Sequence, residues 1–162
     1  MFRIFTDNAS NLPEDLIARW ELGILPIVCY REGRAIDPFA PFDGGAFYTD
    51  MRQGVKMSTS MPNVSAFLDA FTPALERGED VLYIGMSGGI SGTAALAQSV
   101  CTELAETFPD RKIAAIDTRG ASLGEGLPVL YAASLRERGK DFDEVVRLTG
   151  ENCGRRAAPG RS

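Results

Sequence analysis

Short apolar runs alternate along this chain with stretches whose apolar residues recur at helical spacing, and this alternation is the tightest constraint on its fold. Strand-like runs fall at residues 2–6, 24–30, 81–84 and 113–116, and helical spacing falls at about 11–22, 43–52, 60–77, 94–107, 122–138 and 141–149. Strands separated by helices are expected to pair in parallel, because each crossover helix returns the chain to the same end of the sheet. The expected fold class is therefore α/β: a three-layer arrangement with a mostly parallel sheet and helices on both faces. In such folds ligands bind beyond the carboxyl ends of the strands. Polar bends close three of the runs here, at residues 7–11, 87–93 and 117–122. A fourth polar group, Ser58-Thr59-Ser60, precedes Pro62 and reads as the lead-in to a helix, with Ser60 as its cap. Asn11 with Glu14 reads as a capping box and Gly23 as a helix stop. These four segments are expected to converge on one crevice.

The chain has 162 residues, enough for one domain with a real core. The expected division is a domain over residues 1–152 and an irregular tail over 153–162, where no apolar period is visible. The net charge is -5 and no basic run exceeds two residues, which argues against nucleic acid as a partner. No apolar run approaches the ~18 residues of a transmembrane helix. A strand-like run directly after Met1 argues against a signal peptide. The three cysteines, Cys29, Cys101 and Cys153, form no CxxC pair, and a reduced cytoplasm is the expected setting. The sequence contains no histidine. That removes the usual general base, the Ser-His-Asp and Cys-His arrangements, and the commonest metal ligand. No cofactor is expected.

The stretch from Val81 to Thr93 carries the most chemistry. An apolar strand passes through a bend rich in glycine and serine into an Ala/Leu-rich helix. Gly85-Met86-Ser87-Gly88-Gly89 matches the G-x-S-x-G nucleophile elbow of hydrolases. A serine-nucleophile hydrolase using Ser87 is the alternative this raises. No histidine can activate that serine, and Lys56, Lys112 and Lys140 have no spacing that would replace one. Neither a P-loop nor a dinucleotide-binding glycine pattern is present. Asp7, Asp37, Asp43 and Asp117 read as strand-end turn and cap residues, and no metal site is assigned to them. The sharper set is Thr59, Ser60, Ser87, Ser91 and Thr93, with Gly92 at the mouth of a helix. Neutral hydroxyls beside the unpaired N–H groups of a helix start suit a carboxylate or phosphate that is held and not attacked. A ligand-free interaction domain is the third reading.

Five ordered motifs carry a family resemblance. They are Phe5-Thr6-Asp7 with Ser10-Asn11-Leu12-Pro13, then Ile24-Leu25-Pro26-Ile27, then Ser58-Thr59-Ser60-Met61-Pro62, then Ser87 with Ile90-Ser91-Gly92-Thr93, then Ile116-Asp117-Thr118 with Ser122-Leu123-Gly124-Glu125-Gly126. Over residues 2–150 the chain resembles the N-terminal domain of the DegV family. The resemblance implies a bacterial fatty-acid-binding protein, in some members the acyl-carrying subunit of a two-component fatty acid kinase. There a separate catalytic subunit phosphorylates the bound carboxylate, so the carrier catalyses nothing alone. It places Thr59 and Ser91 at the acyl carboxylate, with Ser60, Ser87 and Gly92 as neighbours and Asp7 and Asp117 shaping the strand-end loops. Departures from the family pattern are Met61 for glutamine, Asn8 and Thr118 for serine, and Ala94 for tyrosine. The family also has a C-terminal lid domain over the acyl chain, which is expected to be absent here. The expectation is a truncated form that binds long-chain fatty acid weakly and self-associates through an exposed apolar face.

Overall fold

The computed structural model describes residues 1–36, 44–60, 63–85, 92–119 and 123–157. In chain order the elements are β1 (Phe2–Asp7), a 3-10 turn (Asn8–Ser10), α1 (Glu14–Arg19), β2 (Gly23–Leu25), β3 (Val28–Arg31), β4 (Arg34–Ala35) and α2 (Gly44–Arg52). They continue with β5 (Met57–Ser60), α3 (Val64–Glu76), β6 (Asp80–Gly85), α4 (Thr93–Thr107), β7 (Ile113–Asp117), α5 (Leu123–Glu137) and α6 (Phe142–Ala157). β2, β1, β6 and β7 form a four-stranded sheet in that order, and all three of its pairings are parallel. This is the expected α/β architecture.

Alternation along the central strands builds a core on each face. Val81 and Tyr83 of β6 point to one side, with Phe5, Phe67, Phe71, Leu75, Val100 and Leu104 from β1, α3 and α4. Leu82 and Ile84 point to the other, with Phe2, Ile4, Val129, Ala132, Ala133 and Val145 from β1, α5 and α6. Phe71 meets Phe5 edge-on at 4.9 Å between centroids, and Phe67 meets Tyr83 at 5.5 Å, the offset geometry that aromatic quadrupoles favour. Because both faces are covered, β6 reads as a continuous apolar run and not as an alternating one.

Several local expectations are corrected. The run 24–30 is two strands in two sheets: β2 joins the parallel sheet, and β3 starts a three-stranded antiparallel sheet of order β4-β3-β5. Pro26, which has no N–H to give a ladder, sits between them. Residues 57–60 are not a helix lead-in but β5, which pairs with β3 through Val28↔Ser60, Cys29↔Thr59, Tyr30↔Ser58 and Arg31↔Met57. Asn63 caps α3 in place of Ser60, its side chain accepting the Ala66 N–H at 2.8 Å. Asn11 makes no capping box. It is left-handed (φ 52°) and closes the 3-10 turn, while α1 starts after an extended Pro13. α1 ends through left-handed Glu21, and Gly23 belongs to β2, where a Cβ would lie 2.2 Å from the Phe5 ring.

The expected irregular tail from residue 153 is also corrected, since α6 continues to Ala157. Phe142, Val145, Thr149 and Cys153 are all buried and recur every three or four residues, one stripe along the helix. Thr149 and Cys153 belong to that stripe although neither side chain is aliphatic. A buried cysteine behaves as a small hydrophobe.

Candidate functional site

Register brings the polar strand ends together. Asp7 lies opposite Leu25, Phe5 opposite Tyr83, and Gly85 opposite Asp117, so β1, β2, β6 and β7 finish at one edge. The helix starts that follow β6 and β7 open from the same edge, as parallel connections require. Gly85 O accepts both the Thr118 N–H (3.1 Å) and the Thr118 hydroxyl (2.7 Å), which anchors the end of β6 to the bend after β7. Asp117 Oδ1 accepts the Arg119 N–H at 2.8 Å, in a turn where Arg119 is left-handed (φ 57°).

The small sheet is tied to this edge by Asn8. Its Oδ1 accepts the Ile27 N–H at 2.7 Å and its Nδ2 donates to Ile27 O at 2.8 Å. An amide that gives and receives on one residue imitates a strand partner. The next residue, Val28, pairs with Ser60, so the end of β5 is held near the turn after β1. Thus Ser60, half-buried, approaches the strand-end edge. Thr59 lies one residue earlier in β5, opposite Cys29. Gly92 is the N-cap residue of α4 and has no side chain to cap it, and Thr93 in the first turn is fully buried. Ser87 and Ser91 lie outside the described residues, as do Asp37 and Asp43.

Beneath this edge lies a polar group that sequence reasoning missed in part. Thr6, Asp7, Tyr83 and Glu125 are each 0% exposed. Asp7 shapes the turn, as expected of a strand-end residue. Its Oδ1 accepts the Ala9 N–H at 3.0 Å, and its backbone O accepts the Ser10 hydroxyl at 2.9 Å. It is also reached from the core, where the Tyr83 hydroxyl donates to Asp7 Oδ2 at 3.0 Å. Thr6 Oγ1 donates to Glu125 Oε1 at 3.1 Å. Burial, then the charge of Asp7 and a side-chain hydrogen bond with it, raises the Glu125 carboxyl well above the usual carboxylate range, against smaller opposing hydrogen bonds from Thr6 and the Asp7 backbone. Burial and the Asp7 carboxylate likewise push the Tyr83 phenol up, so it remains a neutral donor. Glu125 could have been found in the sequence: it stands on the face of α5 that Val129, Ala132 and Ala133 bury.

No group of three or more His, Cys, Asp or Glu that could hold a metal ion occurs among the described residues. No helix among them is long and apolar enough to cross a membrane.

Residues 1–155 match the family described as "Uncharacterised protein, DegV family". The chain belongs to the DegV family. A DegV domain-containing protein of Clostridium perfringens is 36% identical over 153 residues, which cover 93% of this chain and 53% of that protein. Among solved structures, a fatty-acid-binding DegV family protein from Thermus thermophilus is 30% identical with a TM-score of 0.72, covering 95% of this chain and 53% of its own. A DegV lipid-binding protein from Thermotoga maritima is 26% identical with a TM-score of 0.72, covering 96% of this chain and 55% of its own. The chain spans about half the length of the DegV relatives it matches. The DegV fold thus agrees with the sequence reading in its parallel sheet and covering helices.

Proposed function

We propose that this chain is a non-catalytic fatty-acid-binding domain that works in the cytoplasm. It holds an acyl carboxylate at the carboxyl edge of the parallel sheet and presents it to a separate kinase. The observation that carries this reading is the likeness, over 95% of the chain and at 30% identity, to a DegV protein described as binding fatty acid. The common strand-end edge, formed by Asp7, Gly85 and Asp117 with Ser60 approaching it, supports the same location. Thr59 and Ser91 are assigned to the carboxylate, with Ser60, Ser87 and Gly92 beside them. Hydroxyl donors and a helix start stabilise an anion without attacking it. The phosphoryl donor is assigned to the partner kinase, since the sequence has no P-loop. The remaining half of a full-length family member is assigned the covering of the acyl chain.

Titration with a fluorescent fatty acid tests the assignment. Each hydrogen bond to a charged carboxylate is worth roughly 1.5–3 kcal/mol, so Thr59→Ala or Ser91→Ala is expected to weaken binding about tenfold to a hundredfold. Unchanged affinity in both variants would remove these residues from the site. Absence of fatty acid from lipid extracted with the purified chain, together with no binding of oleate, would overturn the function itself.

A further inference from the structure

Asp7 and Glu125 stand 118 positions apart in sequence and meet where the turn after β1 faces the first turn of α5. Both side chains are fully buried. Glu125 Oε1 is occupied by the Thr6 hydroxyl, and Oε2 is enclosed and meets no donor. After burial, the neighbour that raises the Glu125 carboxyl is Asp7, through its charge and a hydrogen bond between the two side chains. Two ionised carboxylates offer only acceptors, so a hydrogen bond between them requires one proton held between the pair. The Asp7 oxygens already accept from the Tyr83 hydroxyl and the Ala9 N–H, whereas Glu125 Oε2 has no donor. The proton therefore belongs on Glu125.

We propose that Asp7 and Glu125 form a proton-sharing positioning pair, with Glu125 as the neutral acid, that sets the turn after β1 against the start of α5 at the ligand-binding edge. The backbones approach closely at the same point. A Cβ on Gly126 would lie 2.8 Å from Ser10 O, so the turn after β1 and the start of α5 are packed backbone to backbone beside the pair. Among the described residues, ionisable groups facing the pair include Tyr83 from β6 and, behind it, Cys101 from α4. Both are held neutral, the cysteine with its pKa pushed up to about 12 by burial. Thr6 from β1 and Ser10 from the turn contribute hydroxyls. Loss of the shared proton would set two buried carboxylates against each other at this junction.

Infrared spectroscopy of the chain tests the proton directly. A protonated-carboxyl band is expected at neutral pH, lost in Glu125→Gln and displaced in Tyr83→Phe. Thermal melting gives an independent readout. Glu125→Gln keeps a donor toward Asp7 without a titrating proton, so its melting temperature relative to the parent should climb as pH rises. Glu125→Ala should melt below both at every pH. No such band in the parent chain, or a Glu125→Gln variant that follows the parent's pH profile, would overturn the pair. The positioning role at the ligand rests on the fatty-acid reading. Glu125→Ala is expected to weaken oleate binding about tenfold, with Glu125→Gln within twofold of the parent, and equal affinity in all three would overturn that role. If the parent binds no oleate at any pH while the band is present, the pair stands and the fatty-acid reading fails.

Discussion

Glu125 and Asn8 show how single side chains set the geometry of the strand-end edge. A carboxyl whose pKa is raised by folding keeps its proton in the native state and releases it in the unfolded chain. The unfolded state then binds fewer protons above a pH of about 4.3, and stability falls as pH rises from there toward the native value. The slope is at most about 1.4 kcal/mol per pH unit for one proton. Glu125 thus contributes fully in acid and progressively less as it is forced to ionise, the reverse of an ordinary paired carboxylate. Asn8 acts without charge. Its amide satisfies both backbone groups of Ile27, and serine, the residue usual in the resembling pattern, has no second arm to do so. Asn8→Ala leaves a partly buried N–H and C=O to find water. Urea denaturation is expected to show a loss of about 1–3 kcal/mol. Amide hydrogen exchange should quicken at Ile27 and Val28 while β6 stays protected. Equal protection in both strands would mean that the small sheet is held by something other than Asn8.

At the scale of elements, the start of α5 is the junction most sensitive to a single methyl group. Gly126→Ala would drive its Cβ to 2.8 Å from Ser10 O, a backbone atom fixed by the turn and unable to swing aside as a side chain can. Overpacking of this kind costs about 1–3 kcal/mol, and denaturant titration should register it. Gly124, one position beyond Glu125 on the other side, has nothing within 4 Å of its Cβ position, so Gly124→Ala is the control expected to leave stability nearly unchanged or raised. Both glycines stand in one of the motifs that carry the family resemblance, but their difference was not legible there, because it depends on Ser10, which is 116 positions away from Gly126. The same limit explains the other corrections. Strands whose cores are made locally, such as β6 with its unbroken Val81–Ile84 run, were readable from composition. Residues 57–60 were not, since hydroxyl side chains serve equally as caps or as strand residues, and only pairing with β3 decides between them. In α6 the helical period was present through Cys153 but concealed by a threonine and a cysteine standing where aliphatic residues were sought. At the edge itself the common end of β1, β2, β6 and β7 followed from the parallel order alone. The buried pair could not, because no local pattern joins β1 to α5.

The whole molecule has two completed cores on the parallel sheet and a smaller antiparallel sheet in which Arg31, Arg34 and Ala35 of β3 and β4 are exposed. An acyl chain anchored at the strand-end edge would therefore find its carboxylate contacts here, while much of its length would remain open to water unless another part of a longer family member closes over it. Each methylene fully removed from water contributes about 0.8 kcal/mol. Between a twelve- and an eighteen-carbon acid, complete burial is thus worth roughly 5 kcal/mol, a factor of several thousand in affinity. Carboxylate hydrogen bonds are the same for both acids and cancel from the comparison. If this chain supplies the head-group site and only one wall of the acyl groove, the gain per methylene should be about half or less of that value. Isothermal titration with saturated acids of increasing length measures the slope, and the Thermus thermophilus DegV protein, of which this chain covers 53%, is the natural reference. A shallow slope here beside a steep one there is the expected result. Equal slopes would mean that residues 1–162 enclose the acyl chain by themselves, and the assignment of that role to the other half of the family would have to be abandoned.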